Sequence, residues 1–349
     1  MQQHDFNQNH QFFEIQQQDP QMYELALEMM TRLKFWEQER KAKECSRQKE
    51  TRGSAPNDST TQSGRFETYK GAVINYEDLS FEETEPIGHG AFGDIFCAKW
   101  KDIVVAVKKL RVQRVSRKRL SQFEEEVNVF SRLSHKNVII FYGACIKTPK
   151  LCMVMELMSG SLYDKIHFEE CQFTNEKKIF ISKEIACGLK YLHSQDVAHC
   201  DIKTTNVLVN IFNNGDINVK LTDFGLSMMK NDIESTTSSL VANVGTPRYS
   251  APEILRGESL SLSQMKMADI YSFGLVLYEI AFEEEPFEGL NIHQLRTQVG
   301  YGNKIPEFDD SGIGNNFVTL MKTCWFRQPE CRPTTGAALT HLTEISGGQ

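Results

Sequence analysis

Four polar residues in the second half of the chain are of the types that phosphoryl chemistry requires. Asp201, Lys203 and Asn206 stand close together, and Asp223 follows seventeen residues after Asn206. Hard cations such as Mg²⁺ prefer oxygen ligands, which Asn206 and Asp223 can both supply. Asp201 can accept the proton of an incoming hydroxyl, and Lys203 can offset negative charge on a phosphoryl group during its transfer. The spacing therefore predicts metal-assisted phosphoryl transfer.

Three glycines earlier in the chain are spaced as in loops that hold phosphate groups. Gly88, Gly90 and Gly93 have no Cβ, so a turn that contains them can bring backbone N–H groups close to phosphate oxygens. Taken alone, the pattern also fits a dinucleotide-binding turn or a flexible loop. A dinucleotide site should be followed by a helix, whereas the β-branched run 103–108 predicts a strand. The loop is therefore expected to lie between two strands.

Lys108 ends that predicted strand, and a lone lysine at such a place is usually only a solvated charge. Eighteen residues later, Glu126 borders the apolar stripe of a predicted helix. A carboxylate in that position can face the protein interior, where it needs a cation. We expect Lys108 to be that cation, with its ammonium held towards the α- and β-phosphates of a nucleotide.

Regular elements are predicted on either side of these groups. A helix should precede Asp201, and its inward apolar positions are Ile181, Ile185, Leu189 and Leu192. An alternating strand should precede Asp223, and its inward positions are Ile217, Val219 and Leu221. The helix that carries Glu126 has apolar positions at Phe123, Val127, Phe130 and Leu133. Helices are recognised here by a period of 3.6 residues and strands by a period of two.

Composition and charge limit the classes of protein that this chain can belong to. Its net charge of −7 argues against a nucleic-acid binder, which needs clustered Lys and Arg. The longest apolar run, 272–282, is too short to span a bilayer and predicts a buried helix. Nothing in the first ten residues resembles a signal peptide, and the nine cysteines form no CxxC pair. Reduced thiols and a cytoplasmic location are therefore expected.

The first 75 residues differ in character from the rest of the chain. Residues 1–18 are rich in Gln and Asn and are expected to be disordered. A helix is predicted over about 20–50, beginning at Asp19-Pro20 and carrying an apolar stripe between 22 and 36, and a linker is predicted at 51–64. The stripe either packs on the domain that follows or binds a partner, including a second copy of the chain.

Taken together, these motifs resemble those of the protein kinase family over residues 76–345. The resemblance implies an α+β fold with two lobes, a β-rich N-lobe at 76–156 with one helix and a helical C-lobe at 157–345. It also implies ATP and Mg²⁺ as cofactors, bound between the lobes, and protein substrates. Asp201 matches the catalytic base, Lys203 its neighbouring lysine, and Lys108 with Glu126 the paired charges of the N-lobe. Asn206 and Asp223 match the metal ligands.

The same resemblance assigns a nucleotide pocket and several supporting residues. The positions that match nucleotide contacts are Ile87, Gly88, Gly90, Gly93, Ile95, Ala106, Lys108, Met155, Glu156, Met158 and Leu208. Phe130, Phe141, His199 and Phe224 match the stacked apolar spine of active kinases, although plain core packing is an equally valid interpretation. Asp269 matches the residue that anchors the catalytic loop, and Glu253 with Arg332 matches a structural ion pair.

The motifs also indicate the kinase group. Lys203 and Thr246 are typical of serine/threonine kinases, whereas Cys324-Trp325 and Arg332-Pro333 resemble tyrosine kinases. This mixture is similar to the tyrosine-kinase-like group, which includes Raf and mixed-lineage kinases and acts mainly on serine and threonine. A dual-specificity kinase and a pseudokinase scaffold remain the alternative interpretations.

One departure from the family pattern bears on regulation. Cys200 replaces the arginine that usually precedes the catalytic aspartate and clamps a phosphorylated activation loop. A thiol supplies no cation for that purpose. We therefore expect activity that depends little on phosphorylation of the Ser/Thr cluster at 235–239.

Overall fold

The fold is taken from a computed structural model of the chain. It describes residues 72–81, 85–89, 93–110, 117–147, 150–169, 171–224, 228–229, 246–309 and 312–347. The predicted Gln-rich segment, the helix over about 20–50 and the linker lie outside these residues, as do Gly90 and the Ser/Thr cluster 235–239.

The first half of the described chain forms a six-stranded antiparallel sheet. Its strands are β1 (Leu79–Ser80), β2 (Gly88–His89), β3 (Gly93–Trp100), β4 (Ile103–Leu110), β5 (Phe141–Cys145) and β6 (Cys152–Glu156). The order across the sheet is β1-β3-β4-β6-β5, and β2 also pairs with β3. The glycine loop thus joins two strands, as the sequence predicted.

Strand β4 shows how the sequence alternates between the two faces of this sheet. Val105 and Val107 belong to a small apolar core on the outer face, together with Ile74, which precedes β1, and Leu79 of β1. Successive side chains of a strand point to opposite faces, so Ala106 and Lys108 face the other way. Lys108 is thereby directed towards the single long helix of this half, α1 (Arg117–Phe130). Helix α1 ends at Phe130, so the prediction that Leu133 continues it was wrong.

The second half is mainly helical. Its helices are α2 (Leu162–His167), α3 (Asn175–Ser194), α4 (Pro252–Leu255), α5 (Leu262–Phe282), α6 (Ile292–Gln294), α7 (Asn315–Cys324) and α8 (Thr335–Gly347). A π-helical turn, Leu295–Tyr301, follows α6. Helix α5 contains the apolar run 272–282, and that run is buried almost throughout, as predicted. The four apolar positions predicted to face inward on α3 are also buried.

Short strands place the polar residues of interest at one edge of the helical half. These strands are β7 (Gly160–Ser161), β8 (Val197–Ala198), β9 (Val207–Ile211), β10 (Ile217–Leu221) and β11 (Met228–Met229). Strands β9 and β10 form an antiparallel hairpin, with Leu221 opposite Val207. A turn at Asn213 and Asn214 connects them, and Gly215 has a φ of 85°, which glycine adopts without strain. The strand predicted before Asp223 is therefore confirmed.

A small sheet with one long helix precedes a larger helical part, so the predicted α+β fold with two lobes is confirmed. One apolar cluster runs from α1 through the helices of the second half and fixes the hairpin β9–β10 against α3. Among the described residues, no helix is both long and apolar enough to cross a membrane.

Candidate active site

Lys108 lies between two carboxylates, one from each half of the protein. Its Nζ is 2.7 Å from Oε1 of Glu126 on α1 and 2.9 Å from Oδ1 of Asp223, which follows β10. Lys108 and Glu126 are both at least 94% buried, whereas 24% of the Asp223 side chain is exposed. The pair expected from the apolar stripe of α1 is therefore present, and Asp223 joins it.

Burial and the neighbouring charges shift the pKa of all three groups. Burial acts to lower the pKa of Lys108, but the charges of Glu126 and Asp223 outweigh it and hold that pKa above its usual range. Burial acts to raise the pKa of Asp223, but the charge and hydrogen bond of Lys108 bring it below its usual value. For Glu126 burial prevails and raises the pKa, and Lys108 opposes this only in part. Loss of Lys108 would leave two carboxylates without their cation.

Asp201 is held by two residues of its own loop, Lys203 and Asn206, and by Thr246, which is distant in sequence. Lys203 Nζ lies 2.9 Å from Asp201 Oδ2, and Asn206 Nδ2 donates to the same oxygen at 3.0 Å. Thr246 donates to Asp201 Oδ1 from its backbone N–H and from its hydroxyl, each at 2.9 Å, and accepts a hydrogen bond from Lys203 Nζ at 2.6 Å. The carboxylate is thus fixed in one orientation beside a cation.

Helix α5 fixes the loop that carries Asp201. Asp269 is 2% exposed and accepts hydrogen bonds from the backbone amides of His199 and Cys200, each at 2.8 Å. Its Oδ2 also lies 2.9 Å from Nε2 of His193. Cys200 has a φ of 68°, a left-handed conformation that costs free energy in a residue other than glycine. The buried carboxylate therefore holds a strained backbone beside Asp201.

The four residues that match the apolar spine are in direct contact. Phe130 stacks on Phe141 with a centroid distance of 5.5 Å and meets the edge of Phe224 at 4.7 Å. Phe224 in turn lies 5.0 Å from His199. The column links α1, the sheet, the residue after Asp223 and the loop before Asp201. The column therefore packs the two halves of the protein against each other.

The residues expected around a nucleotide come from both halves of the fold: most lie on or beside the strands of the N-lobe sheet, and Leu208 lies on β9. Ile95 pairs with Lys108 across β3 and β4, and Ala106 pairs with Met155 across β4 and β6. Leu208 lies on β9 of the second half, opposite Ser161. Met158 is partly buried after β6, while half of Ile87 is exposed before the glycine loop.

The glycines fit a backbone that comes close to its neighbours. A Cβ on Gly93 would lie 2.1 Å from the carbonyl oxygen of Lys109, so only glycine can occupy that position. A Cβ on Gly88 would meet only Ile95, at 3.7 Å, so its backbone stays open to approach. Both properties suit a loop that covers phosphate groups.

The side chain of Glu156 is bound by other residues of the protein. Its Oε1 lies 2.9 Å from Nζ of Lys220 and accepts a hydrogen bond of 2.6 Å from the backbone N–H of Ile140. Both charged residues are buried. The backbone N–H of Glu156 also donates to the carbonyl oxygen of Ile140 at 2.9 Å, so only the backbone carbonyl of Glu156 is considered for an adenine ring.

Asn206 and Asp223 could hold a metal ion. They stand at adjacent ends of the hairpin β9–β10, where the amide of Thr222 donates to the carbonyl oxygen of Asn206 at 3.0 Å. Asn206 directs its Nδ2 to Asp201, so its amide oxygen faces elsewhere. Asp223 binds Lys108 through Oδ1, which leaves Oδ2 for another ligand. Two hard oxygen donors at one place fit Mg²⁺.

Sequence reasoning missed two groups of contacts. It used Thr246 only as a sign of the kinase group, although Thr246 binds both Asp201 and Lys203. It also missed the buried Glu279, whose carboxylate accepts hydrogen bonds from Thr204 at 2.7 Å and Tyr249 at 2.6 Å. A charged residue inside the apolar run of α5 was the available signal for the second group.

Comparison with known proteins agrees with this geometry. Residues 81–342 match the family description "Protein kinase domain". Three relatives are the putative serine/threonine-protein kinase/receptor R818 of Acanthamoeba polyphaga mimivirus, the serine/threonine-protein kinase CTR1 of Arabidopsis thaliana and the probable serine/threonine-protein kinase drkB of Dictyostelium discoideum. Each is 34% identical to this chain, over 79%, 78% and 74% of its length.

The same alignments cover only 16%, 32% and 36% of those relatives, so the chain matches well under half of each. All three relatives are named as serine/threonine-protein kinases, which is the type expected from the motifs. Because the family match includes the glycine loop, both halves of the fold and every residue of the Lys108 and Asp201 groups, the chain belongs to the protein kinase family.

Proposed function

We propose that the protein transfers the γ-phosphoryl group of ATP to serine or threonine hydroxyls of protein substrates. The observation that carries this proposal is the arrangement around Asp201, whose carboxylate is oriented by Thr246 and Asn206 beside the ammonium of Lys203. A proton acceptor next to a fixed cation suits deprotonation of a hydroxyl and stabilisation of a phosphoryl group.

In this proposal, Asp201 accepts the proton of the substrate hydroxyl through the carboxylate that Thr246 and Asn206 orient. Lys203, at 2.9 Å from Asp201, offsets the charge that develops on the phosphoryl oxygens. Lys108 holds the α- and β-phosphates, and Glu126 fixes the ammonium for that role. Thr246 keeps Lys203 next to the base. Because these two residues are typical of serine/threonine kinases, serine and threonine are the acceptors in this proposal.

ATP with Mg²⁺ would supply the transferable phosphoryl group and the positive charge that neutralises its oxygens. Asn206 and Asp223 would hold the metal ion, and Gly88, Gly90 and Gly93 would cover the phosphates. The adenine ring would lie between Ile87, Ile95, Ala106 and Leu208, with Met155 at its back and the backbone of Glu156 to Met158 at its edge. Burial of Ala106 and Met155 in the sheet supports the pocket.

We propose that the chain consists of an N-terminal extension and one kinase domain. A kinase domain at 76–345 follows the extension 1–75, and the N-lobe ends near 156. The helix predicted over 20–36 would bind a partner or a second copy. A cytoplasmic location would bring the enzyme to intracellular protein substrates.

The proposal is tested with the full chain, γ-labelled ATP, Mg²⁺ and a degenerate peptide library that offers serine, threonine or tyrosine as acceptor. Transfer to serine and threonine peptides is expected, and omission of Mg²⁺ should abolish it. Transfer to tyrosine at a similar rate would establish dual specificity instead. Absence of transfer by a folded chain that binds ATP would contradict the proposal and favour a scaffold.

A further inference from the structure

The segment before the glycine loop crosses one whole face of the N-lobe sheet. We call residues 72–81 the strap. At one edge of the sheet, Ala144 of β5 donates to the carbonyl oxygen of Ala72 at 3.0 Å, and Ile74 donates to the carbonyl oxygen of Ala144 at 2.9 Å. At the other edge, Leu79 and Ser80 form β1 and pair with β3. The strap therefore spans the sheet from edge to edge.

The strap buries its own side chains on that face. Ile74 and Leu79 are 4% and 7% exposed, and they pack with Val105, Val107 and Val154 of the central strands. Gly143 shows how close the chain comes, because a Cβ there would lie 2.3 Å from the carbonyl oxygen of Ala72. Only the last residue of the strap, Phe81, falls within the range 81–342 that matches the family.

Three aromatic rings beneath and within the strap surround one ammonium group. Nζ of Lys109 lies 3.5 Å from the ring centroid of Phe81, 4.2 Å from that of Phe96 and 5.6 Å from that of Tyr76. Phe81 and Tyr76 belong to the strap, and Phe96 belongs to β3. A cation over several ring faces is attracted by each, and cages of this kind are used to hold ammonium ligands. Here the captured ammonium is part of the same chain.

Lys109 is the neighbour of Lys108, and the pleat sends their side chains to opposite faces. Lys108 points to Glu126 and Asp223, while Lys109 points to the cage. Both residues lie near the end of β4, where Lys108 is opposite Met153 and Lys109 opposite Cys152 on β6, and where Leu110 is the last residue to pair with β3. Strand ends open locally more readily than strand centres, and a side-chain anchor opposes that opening. An anchor on Lys109 therefore also fixes the backbone from which Lys108 projects.

From these contacts we propose that the strap is a positioning element of the kinase: by caging Lys109, it holds the end of β4 so that Lys108 meets Glu126 and the nucleotide phosphates. This role rests on the proposed kinase function. It gives the segment before the glycine loop a part in phosphoryl transfer, although none of its side chains contacts the reacting groups.

The test uses the full chain with Lys109→Met, Lys109→Arg, Phe81→Leu and the double variant Lys109→Met/Phe81→Leu. Methionine keeps an apolar stem of similar length and removes the charge, whereas arginine keeps a cation that also stacks on rings. Lys150→Met is the matched control. Lys150 lies 4.7 Å from the ring of Tyr76 and 3.1 Å from Glu77, so it contacts the strap, but it is not on β4.

Four quantities are measured for each variant: kcat, KM for ATP, the midpoint of thermal unfolding, and the rate of hydrogen exchange of the Ile74 and Ala144 amides. Lys109→Met and Phe81→Leu should each speed that exchange and lower kcat by about tenfold, a barrier change of about 1.4 kcal/mol. The double variant should be little worse than either single one, because both disrupt one cage. Lys109→Arg should recover most of kcat, and Lys150→Met should leave kcat within about twofold of the wild type.

Two results would overturn the inference. Faster exchange in Lys109→Met with an unchanged kcat would show that the strap does not position Lys108. An equal fall of kcat in Lys150→Met and Lys109→Met, without recovery by arginine, would show a merely structural role. A wild-type chain that transfers no phosphate would contradict the proposed function instead, and the exchange rates would still show whether Lys109 anchors the strap.

Discussion

The backbone N–H of Cys200 donates a hydrogen bond of 2.8 Å to Oδ1 of Asp269, a buried residue of α5. The amide of His199 binds the other carboxylate oxygen at the same distance. The loop that carries Asp201 is thus held through its backbone, and the side chain of Cys200 takes no part in these two bonds. The geometry of the base can therefore survive without the arginine that the family usually has at this position.

The first prediction separates this backbone anchor from the side chain. Asp269→Asn turns one acceptor into a donor that faces a backbone N–H, and a hydrogen bond to a charged group contributes about 1.5–3 kcal/mol. We expect kcat to fall roughly ten- to a hundredfold. Cys200→Ala should stay within about threefold of the wild type. Steady-state kinetics at saturating ATP would measure both, and a larger loss for Cys200→Ala than for Asp269→Asn would contradict the anchor.

Removal of the proposed base should affect chemistry and not nucleotide binding. Asp201→Asn keeps the size of the side chain but cannot accept the hydroxyl proton, so kcat should fall about 10²- to 10⁴-fold. KM for ATP should change little, because Asp201 would contact the acceptor hydroxyl. Asp196→Asn is the matched control, since Asp196 is exposed and pairs with Lys266. Wild-type turnover by Asp201→Asn would show that another group is the base.

Glu253 and Arg332 form a buried bidentate ion pair, and the contribution of each residue to the free energy of unfolding depends on the presence of the other. Arg332 Nη1 lies 2.6 Å from Glu253 Oε1 and Nη2 lies 2.8 Å from Oε2. Arg332→Met would leave a buried carboxylate without its cation, which costs about 3–5 kcal/mol. Arg332→Met combined with Glu253→Leu should recover part of that loss. Lys304→Met, which removes a more exposed pair with Glu307, should cost less than about 1 kcal/mol.

Urea unfolding would measure the change in the free energy of unfolding for each of these three variants. If Arg332→Met costs no more than Lys304→Met, the pair has no structural role.

Glu279 should make stability depend on pH. Burial raises its pKa above 4.5, although hydrogen bonds from Tyr249 and Thr204 oppose the shift. Between 4.5 and the raised value, the native state keeps a proton that the unfolded chain has released. The free energy of unfolding should therefore fall as the pH rises through this window and level off above it.

Glu279→Gln should remove that slope, even though it lowers stability overall. The exposed Glu344→Gln should keep it. Thermal unfolding followed from pH 4.5 to 7.5 would distinguish the two, and a slope that persists in Glu279→Gln would assign the effect to other groups.

Most elements around the site could be predicted because their periodicity is local. The alternation of β4 and the apolar stripe of α1 predicted that Lys108 and Glu126 face one another, and their charged atoms are 2.7 Å apart. The strand pattern before Asp223 likewise predicted β10, whereas its partner β9 was not predicted. These features depend on neighbours within a few residues, where period and turn chemistry dominate.

Contacts between distant segments could not be predicted in the same way. Thr246 reaches Asp201 across 45 residues, and no local pattern encodes that approach. The strap contains only two short stretches of regular structure, so nothing in its periodicity shows that it crosses a sheet. Helix α1 stops at Phe130 and is followed by a turn at Ser131 and Arg132, so Leu133 lies beyond the helix. Tertiary packing decides each of these cases.

The last prediction concerns control by phosphorylation. A phosphorylated activation loop is commonly ordered by an arginine beside the base, through charge-assisted hydrogen bonds to the phosphate. Cys200 offers a thiol at that position, and its amide is already held by Asp269. We therefore expect the base to be in place without a loop phosphate. Replacement of all five hydroxyl residues at 235–239 by alanine should leave kcat within about tenfold of the wild type.

The comparison uses protein purified with and without phosphatase treatment, so that the state of the cluster is known in each sample. Treated wild type and the alanine variant should have similar rates, because neither carries a phosphate there. Cys200→Arg serves as the converse test: it would restore a cation, and its activity should become sensitive to phosphatase only if the cluster is intact. A loss of about a hundredfold in the alanine variant, near 2.7 kcal/mol of transition-state stabilisation, would show that another cation has taken the role of the missing arginine.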